Sequence, residues 1–308
     1  MKSKHRLWQM ILLALLGAAT IFSLVIPERF LEGAKPQRVE VSILTRHTDS
    51  MLWATARQGM EQAAEDCGAE LRFLSLSKDN DSEGQIELLQ REAEVGVDAA
   101  VVDPADCEQI SSFISDGFHL PVITLESSVE KAAGSVYPAN AQVGQLLANQ
   151  IAYDFPQGGK VLLVNGSPNV SGTVERLEKA QKILASNGFE IIVSSGFPSE
   201  NQLETADIVL CFEAKVLDLI VQQTVENELS AKIYGAGVTD SAVAQLERGQ
   251  IMALAAWSEY AAGYMAVTQA VAAARNEPVE DYELPVSVVR EGDTYDSNHQ
   301  KLLYPLNR

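Results

Sequence analysis

From residue 39 onward, short apolar runs alternate with longer segments whose apolar positions fall at helical spacing. Val39 to Leu44 is an apolar, β-branched run of strand length. Ser50 to Cys67 then carries Met51, Ala54, Met60, Ala63 and Ala64 three or four residues apart, which predicts a helix. Gly68 stops it, and Leu71 to Leu76 opens a second strand. A crossover of that length makes the two strands parallel. The tip of the first strand, Thr45 to Trp53, becomes a loop at the carboxyl ends, where open α/β sheets take their ligands.

The pattern repeats. Helices are predicted over Gly84 to Glu94 and Ala105 to Ser115, and strands at Ala99 to Val102, Leu120 to Leu125 and Ser135 to Tyr137. A second series runs through helix Ala141 to Tyr153, strand Lys160 to Val164, helix Val170 to Ser186 and strands Glu190 to Ser194, Asp207 to Phe212, Lys232 to Gly235 and Met252 to Ala256. Helices Ala214 to Asn227 and Asp240 to Arg248 lie between the later strands, and helix Tyr260 to Ala274 and one strand-like segment, Glu283 to Arg290, follow. The class is α/β, with two similar doubly wound parallel-sheet lobes.

The amino-terminal stretch breaks this pattern. Lys2, Lys4, His5 and Arg6 precede Leu7 to Ile26, an uncharged run long enough to span a bilayer as a helix. The basic flank predicts an uncleaved single-pass anchor with the body outside; a cleaved signal peptide, leaving a secreted or periplasmic body, is the alternative. Pro27 to Gln37 reads as a tether.

Charge narrows the partners. The chain carries a net −19, and because its first 38 residues are basic, the body holds 17 basic against 40 acidic residues, a net of −23. Such a surface repels nucleic acid and anionic lipid. Cys67, Cys107 and Cys211 are odd in number and lack metal-type spacing. His5, His47, His119 and His299 have no nucleophile or carboxylate at motif spacing, so neither an enzyme nor a cofactor or metal site is expected. Gly235-Ala236-Gly237 before a helix lacks the third glycine of a nucleotide fingerprint.

A set of local phrases resembles a known family. These are Arg57-Gln58-Gly59, Ala99 to Pro104 (AAVVDP), Leu120 to Glu126 (LPVITLE), Asn140 to Gly144 (NAQVG), Gly159 to Gly166 (GKVLLVNG) and Tyr234 to Ala242 (YGAGVTDSA). In this order and at these distances they resemble the periplasmic sugar-binding proteins of the ribose and galactose type, the type I periplasmic binding fold also used as the core of LacI-type repressors. No helix-turn-helix precedes the body, which sets the repressor branch aside. The resemblance implies two lobes joined by three hinge crossings, near Tyr137 to Asn140, Trp257 to Glu259 and Pro285 to Val288, with ligand in the cleft between them. It divides the chain into an anchor and tether (1–38), a first lobe (39–138 with 259–286) and a second (139–258 with 287–308). Phe197 to Ala206 is too short for the crossover helix usual at that point of the family.

The resemblance also implies which residues face the ligand, and most of the family's sugar clamp is altered. The Asn after the first strand falls on Ser50, and the two ring-stacking aromatics on Leu52 and Trp53. The Asp-Arg pair after the fourth strand falls on Glu126-Ser127. The ligand Arg of the second lobe falls on Val174, with Arg176 two residues on. The next Asn, Asp and hinge Gln fall on Phe212, Gly237 and Trp257. Trp53 is either a stacking platform or ordinary packing, and Phe212 and Trp257 either line an aromatic pocket or plug the cleft. Glu126 offers a carboxylate to hydroxyl or ammonium donors, or is a solvated turn. Asp103, before Pro104, reads as a helix cap or as a ligand contact at its strand end, as does Asn140 at its crossing. Arg46 shares a solvated loop with His47 or meets an anionic group.

The functional expectation is an extracytoplasmic receptor that captures a small carbohydrate-like ligand for an ABC transporter permease. The alternatives are a membrane-anchored sensor read by a partner such as a histidine kinase, and a scaffold whose cleft binds nothing.

Overall fold

The computed structural model describes Trp8, Leu16 and residues 38–304, with Ser50 described in its backbone alone. The predicted span Leu7 to Ile26 otherwise lies outside the described residues. Among those residues no helix is long and apolar enough to cross a membrane.

Residues from Val39 onward form two six-stranded sheets of the same construction. The first contains β1 (Val39–Leu44), β2 (Ala69–Leu74), β3 (Ala99–Val102), β4 (Val122–Leu125), β5 (Gly134–Pro138) and β11 (Tyr282–Leu284), in the order β11-β5-β4-β3-β1-β2. The second contains β6 (Lys160–Asn165), β7 (Glu190–Ser195), β8 (Ile208–Cys211), β9 (Lys232–Ala236), β10 (Ile251–Ala256) and β12 (Ser287–Val289), in the order β12-β10-β9-β8-β6-β7. Central strands such as β3, β4 and β8 are buried throughout, because helices cover both faces of each sheet.

In the first lobe α1 (Ala54–Cys67) and α9 (Glu259–Ala274) cover one face, and α2 (Ser82–Val95) and α3 (Cys107–Ser115) the other. In the second, α4 (Asn140–Asp154) and α5 (Ser171–Ser186) oppose α7 (Ala214–Glu226), α8 (Asp240–Glu247) and α10 (Ser297–Leu303). Between β7 and β8 the short segment still holds one brief helix, α6 (Glu200–Glu204), fixed by a capping box between Ser199 and Gln202.

One predicted strand divides in two. Glu283 to Arg290 splits at Pro285-Val286 into β11, parallel to β5, and β12, antiparallel to β10. The direction follows from the crossing. The parallel strands run toward the interlobe edge, so a chain that crosses there within two residues must enter the second sheet running away from it.

Two helix pairs pack with backbones nearly touching. A Cβ on Gly263 of α9 would overlap the Ala56 carbonyl of α1, and one on Gly144 of α4 would overlap the Arg176 carbonyl of α5. Gly144→Ala is therefore expected to lower stability by about 1–3 kcal/mol through forced separation of α4 and α5. Urea unfolding checks this, and an unchanged midpoint would show that the pair can part at no cost.

Candidate functional site

The loops at the carboxyl ends of β1, β3, β4, β8, β9 and β10 converge between the lobes. Arg46 follows β1, Asp103 follows β3 and Glu126 follows β4. Glu213 follows β8, Gly237 follows β9 and Trp257 follows β10.

Two guanidinium–carboxylate pairs bridge the lobes. Arg46 donates from Nη2 to Glu213 Oε1 at 3.0 Å, and its Nε lies 3.5 Å from Asp103 Oδ2. Arg176, on α5, donates from Nη2 to Glu126 Oε2 at 3.0 Å, from Nε to Asn140 Oδ1 at 2.7 Å and from Nη1 to the Phe212 carbonyl at 2.8 Å. Its guanidinium also sits 4.8 Å from the Trp257 ring centroid, in cation–π range. A third pair, Lys215 with Asp79, lies nearer the surface. The amino end of α5 also docks on the first lobe: Ser171 Oγ donates to the Ser128 carbonyl and the Gly172 N–H to Ser127 Oγ.

Glu126 is the hinge of this network. Its φ is +64°, a left-handed conformation uncommon for a non-glycine residue and here buried. Three groups hold it: Arg176 on Oε2, Trp257 Nε1 donating to Oε1 at 3.2 Å, and Asn140 Nδ2 donating to its carbonyl at 3.2 Å. Gly172 faces the same carbonyl so closely that a Cβ there would collide with it.

Burial sets the charge states. Burial, and the nearby Glu126 carboxylate beyond it, push Asp103 up to about 7 even though Arg46 pulls the other way. Burial also lowers His47 to about 3, helped by Arg46, so its imidazole is neutral and its Nε2 accepts from Arg46 Nε at 3.2 Å. Glu259, at the start of α9, is raised well above the usual range by burial and by Glu126.

These groups surround a cavity of about 60 Å³ lined by Arg46, Trp53, Glu126, Arg176, Glu213 and Trp257, with Gly237 and Glu259 at its edge. Ligand pockets for small molecules run to roughly 300–1,000 Å³, so the lobes must part, or the bridging pairs must yield, to admit one. A second cavity of about 400 Å³ shares Leu52 and Glu259 with it and opens between the Ser50–Trp53 turn, α8 and α10.

Several predicted residues have surroundings other than those expected. Asp103 does not cap α3; Asp106 does, accepting from the Gln109 N–H, and Asp103 faces Arg46 instead. Asn140 makes no capping bond and ties Arg176 to Glu126. Arg46 and His47 are buried rather than solvated. The Phe212 ring is in the hydrophobic core and only its carbonyl meets the network. The Ser50 side chain lies outside the described residues. Trp53 and Trp257 line one cavity, from opposite lobes.

Glu213, Glu259 and the Asp79–Lys215 pair were not among the predicted residues. A signal for Glu213 exists in the chain: Asp103, Glu126 and Glu213 each follow a buried apolar strand within two residues.

Comparison with known proteins gives the same architecture a family. Residues 41–278 match the periplasmic binding protein domain. The chain belongs to the periplasmic binding protein family. This periplasmic binding protein is 29% identical over 128 residues to the ribose import binding protein RbsB of Bacillus subtilis, a stretch covering 40% of this chain and 41% of that one. It superposes with a TM-score of 0.76 on a carbohydrate transporter solute-binding protein from Agrobacterium radiobacter in complex with D-arabinose, at 18% identity over 87% of this chain and all of that one. The myo-inositol binding protein of Caulobacter, bound to myo-inositol, gives 0.74 at 21% identity over 87% and 99%. At such identities the likeness establishes the fold. These relatives are solute-binding proteins rather than enzymes, and the family points to an extracytoplasmic location.

Proposed function

We propose that this protein captures a small carbohydrate-like ligand in the interlobe cleft and presents it to an ABC transporter permease. In this reading the hinges fall at 138/139, 258/259 and 286/287, and Leu7 to Ile26 anchors the body outside the membrane. The observation that carries the reading is the convergence of five strand ends from both lobes on one cavity, with Trp53 and Trp257 supplying ring faces, Arg46, Glu126, Arg176 and Glu213 supplying hydrogen bonds, and Asp103 and Asn140 paired to Arg46 and Arg176 behind them. Aromatic faces with a few convergent polar groups suit a hydroxylated ring. Ser50, Gly237 and the Phe212 carbonyl complete the proposed contacts. The relatives that bind ribose, arabinose and inositol support the ligand class.

The bridging ion pairs favour a second reading, a membrane-anchored sensor whose lobe closure is read by a partner such as a histidine kinase. Here the pairs set the balance between open and closed lobes without ligand.

Intrinsic fluorescence of the full chain in mild detergent, titrated with pentoses, hexoses, cyclitols and amino sugars, tests capture. A saturable change that Trp53→Phe and Trp257→Phe each diminish is expected. A ligand at 100 times its Kd should also stabilise the fold by about 2.7 kcal/mol. Silence across the panel from a folded protein would leave a scaffold with a non-binding cleft.

A further inference from the structure

The cleft gathers more carboxyl groups than its own cations answer. Arg46 serves both Asp103 and Glu213, Arg176 serves Glu126, and Lys215 serves Asp79. Glu259 lines the same cavity with no ion-pair partner among the described residues. Five carboxyl groups thus face three cations. A carboxylate held away from water without a partner is strongly unfavourable, so without ligand Asp103 and Glu259 are pushed toward their protonated forms.

Buried atoms without partners point the same way. Arg46 Nη1, His47 Nδ1, Trp53 Nε1 and Glu213 Oε2 have no hydrogen-bond partner among the described residues, and all four residues line the cavity. Arg46 and Glu213 are each only 5% exposed. The set offers three donors to hydroxyl oxygens and one acceptor beside carboxyl groups that lack a cation. A metal ion does not fit it, because no group of three metal-type ligands comes together among the described residues.

Resting on the solute-binding reading above, we propose that the ligand is a hydroxylated ring bearing a protonated amine, an amino sugar or aminocyclitol, with its ammonium received by Glu259 and Glu213. A neutral sugar answers the orphan hydrogen bonds but leaves the surplus carboxyls without a cation. An ammonium answers both, and the Trp53 ring that lines the same cavity adds cation–π attraction. The raised Asp103 and Glu259 carboxyls fit a site short of one positive charge. Glu259 also lies on both the small cavity and the 400 Å³ cavity.

Calorimetric titration of the full chain at pH 7 tests this with matched pairs: glucosamine and glucose, galactosamine and galactose, mannosamine and mannose, scyllo-inosamine and scyllo-inositol. In each pair that binds, the amine is expected to bind at least tenfold tighter, and Glu259→Gln is expected to cut that ratio at least fivefold. N-acetylglucosamine, which keeps the ring and loses the charge, should bind no better than glucose. A neutral member that binds within tenfold of its amine twin overturns the inference and leaves sugar capture standing. Binding by no member of the panel overturns both.

Discussion

Arg176→Ala is expected to cost about 3–5 kcal/mol of stability, the range for stripping one partner from a buried ion pair. The side chain is 4% exposed and makes three hydrogen bonds, to Glu126, Asn140 and the Phe212 carbonyl. Its removal leaves Glu126 buried, held at a left-handed φ and facing the Glu259 and Asp103 carboxylates with no cation of its own. Arg176→Lys keeps the charge but cannot serve three acceptors in a fixed plane, so it should fall between alanine and wild type. Urea unfolding of the double variant Glu126→Gln/Arg176→Met separates charge from packing. With both charges gone, the loss should be smaller than for Arg176→Ala alone. A cost below about 1 kcal/mol for Arg176→Ala would place the pair among weakly coupled surface bridges and remove it as a determinant of lobe closure.

The parts of this site that could be read from the chain are those governed by local rules. Alternating apolar runs fixed the strand ends, and the strand ends fixed which loops face the cleft; Trp53, Glu126 and Trp257 follow from that. The same alternation explains Phe212. It lies in step with Ile208 and Leu210, which pack on one face of β8, while Val209 and Cys211 pack on the other. Its ring therefore belongs with the core, and the next residue, Glu213, turns into the cleft. Contacts that depend on how two lobes meet have no such local signature. The partners Arg46–Glu213 and Arg176–Glu126 are separated by 167 and 50 residues. Asp103 illustrates the conflict: the following proline suggests a capped turn, yet Asp106 takes the cap and leaves Asp103 for Arg46. The left-handed Glu126 is a consequence of three tertiary partners, so nothing in Leu125-Glu126-Ser127 announces it.

Between pH 4 and 6.5 the stability of the ligand-free protein is set by two opposing titrations, and His47→Gln should separate them. His47 falls to about 3 in the folded protein from its usual 6.5, through burial and the Arg46 charge. The unfolded chain then binds a proton that the folded one does not, so this group makes stability rise with pH through that window. Asp103 does the reverse. Raised by burial from 3.8 to about 7, it keeps a proton that the unfolded chain has released, so stability falls as pH climbs from about 4 to about 7. Glu259 is raised as well and adds to the fall. In the wild type the slopes offset one another. His47→Gln retains an acceptor for Arg46 Nε and removes the rising part. Relative to wild type, the variant should lose about 2 kcal/mol between pH 4.5 and 6, one proton's difference at 1.36 kcal/mol per pH unit. Asp103→Asn should tilt the profile the other way. Urea midpoints at half-unit pH steps decide the matter, and parallel profiles for wild type and His47→Gln would mean that the imidazole carries its proton in the cleft, against its burial beside Arg46.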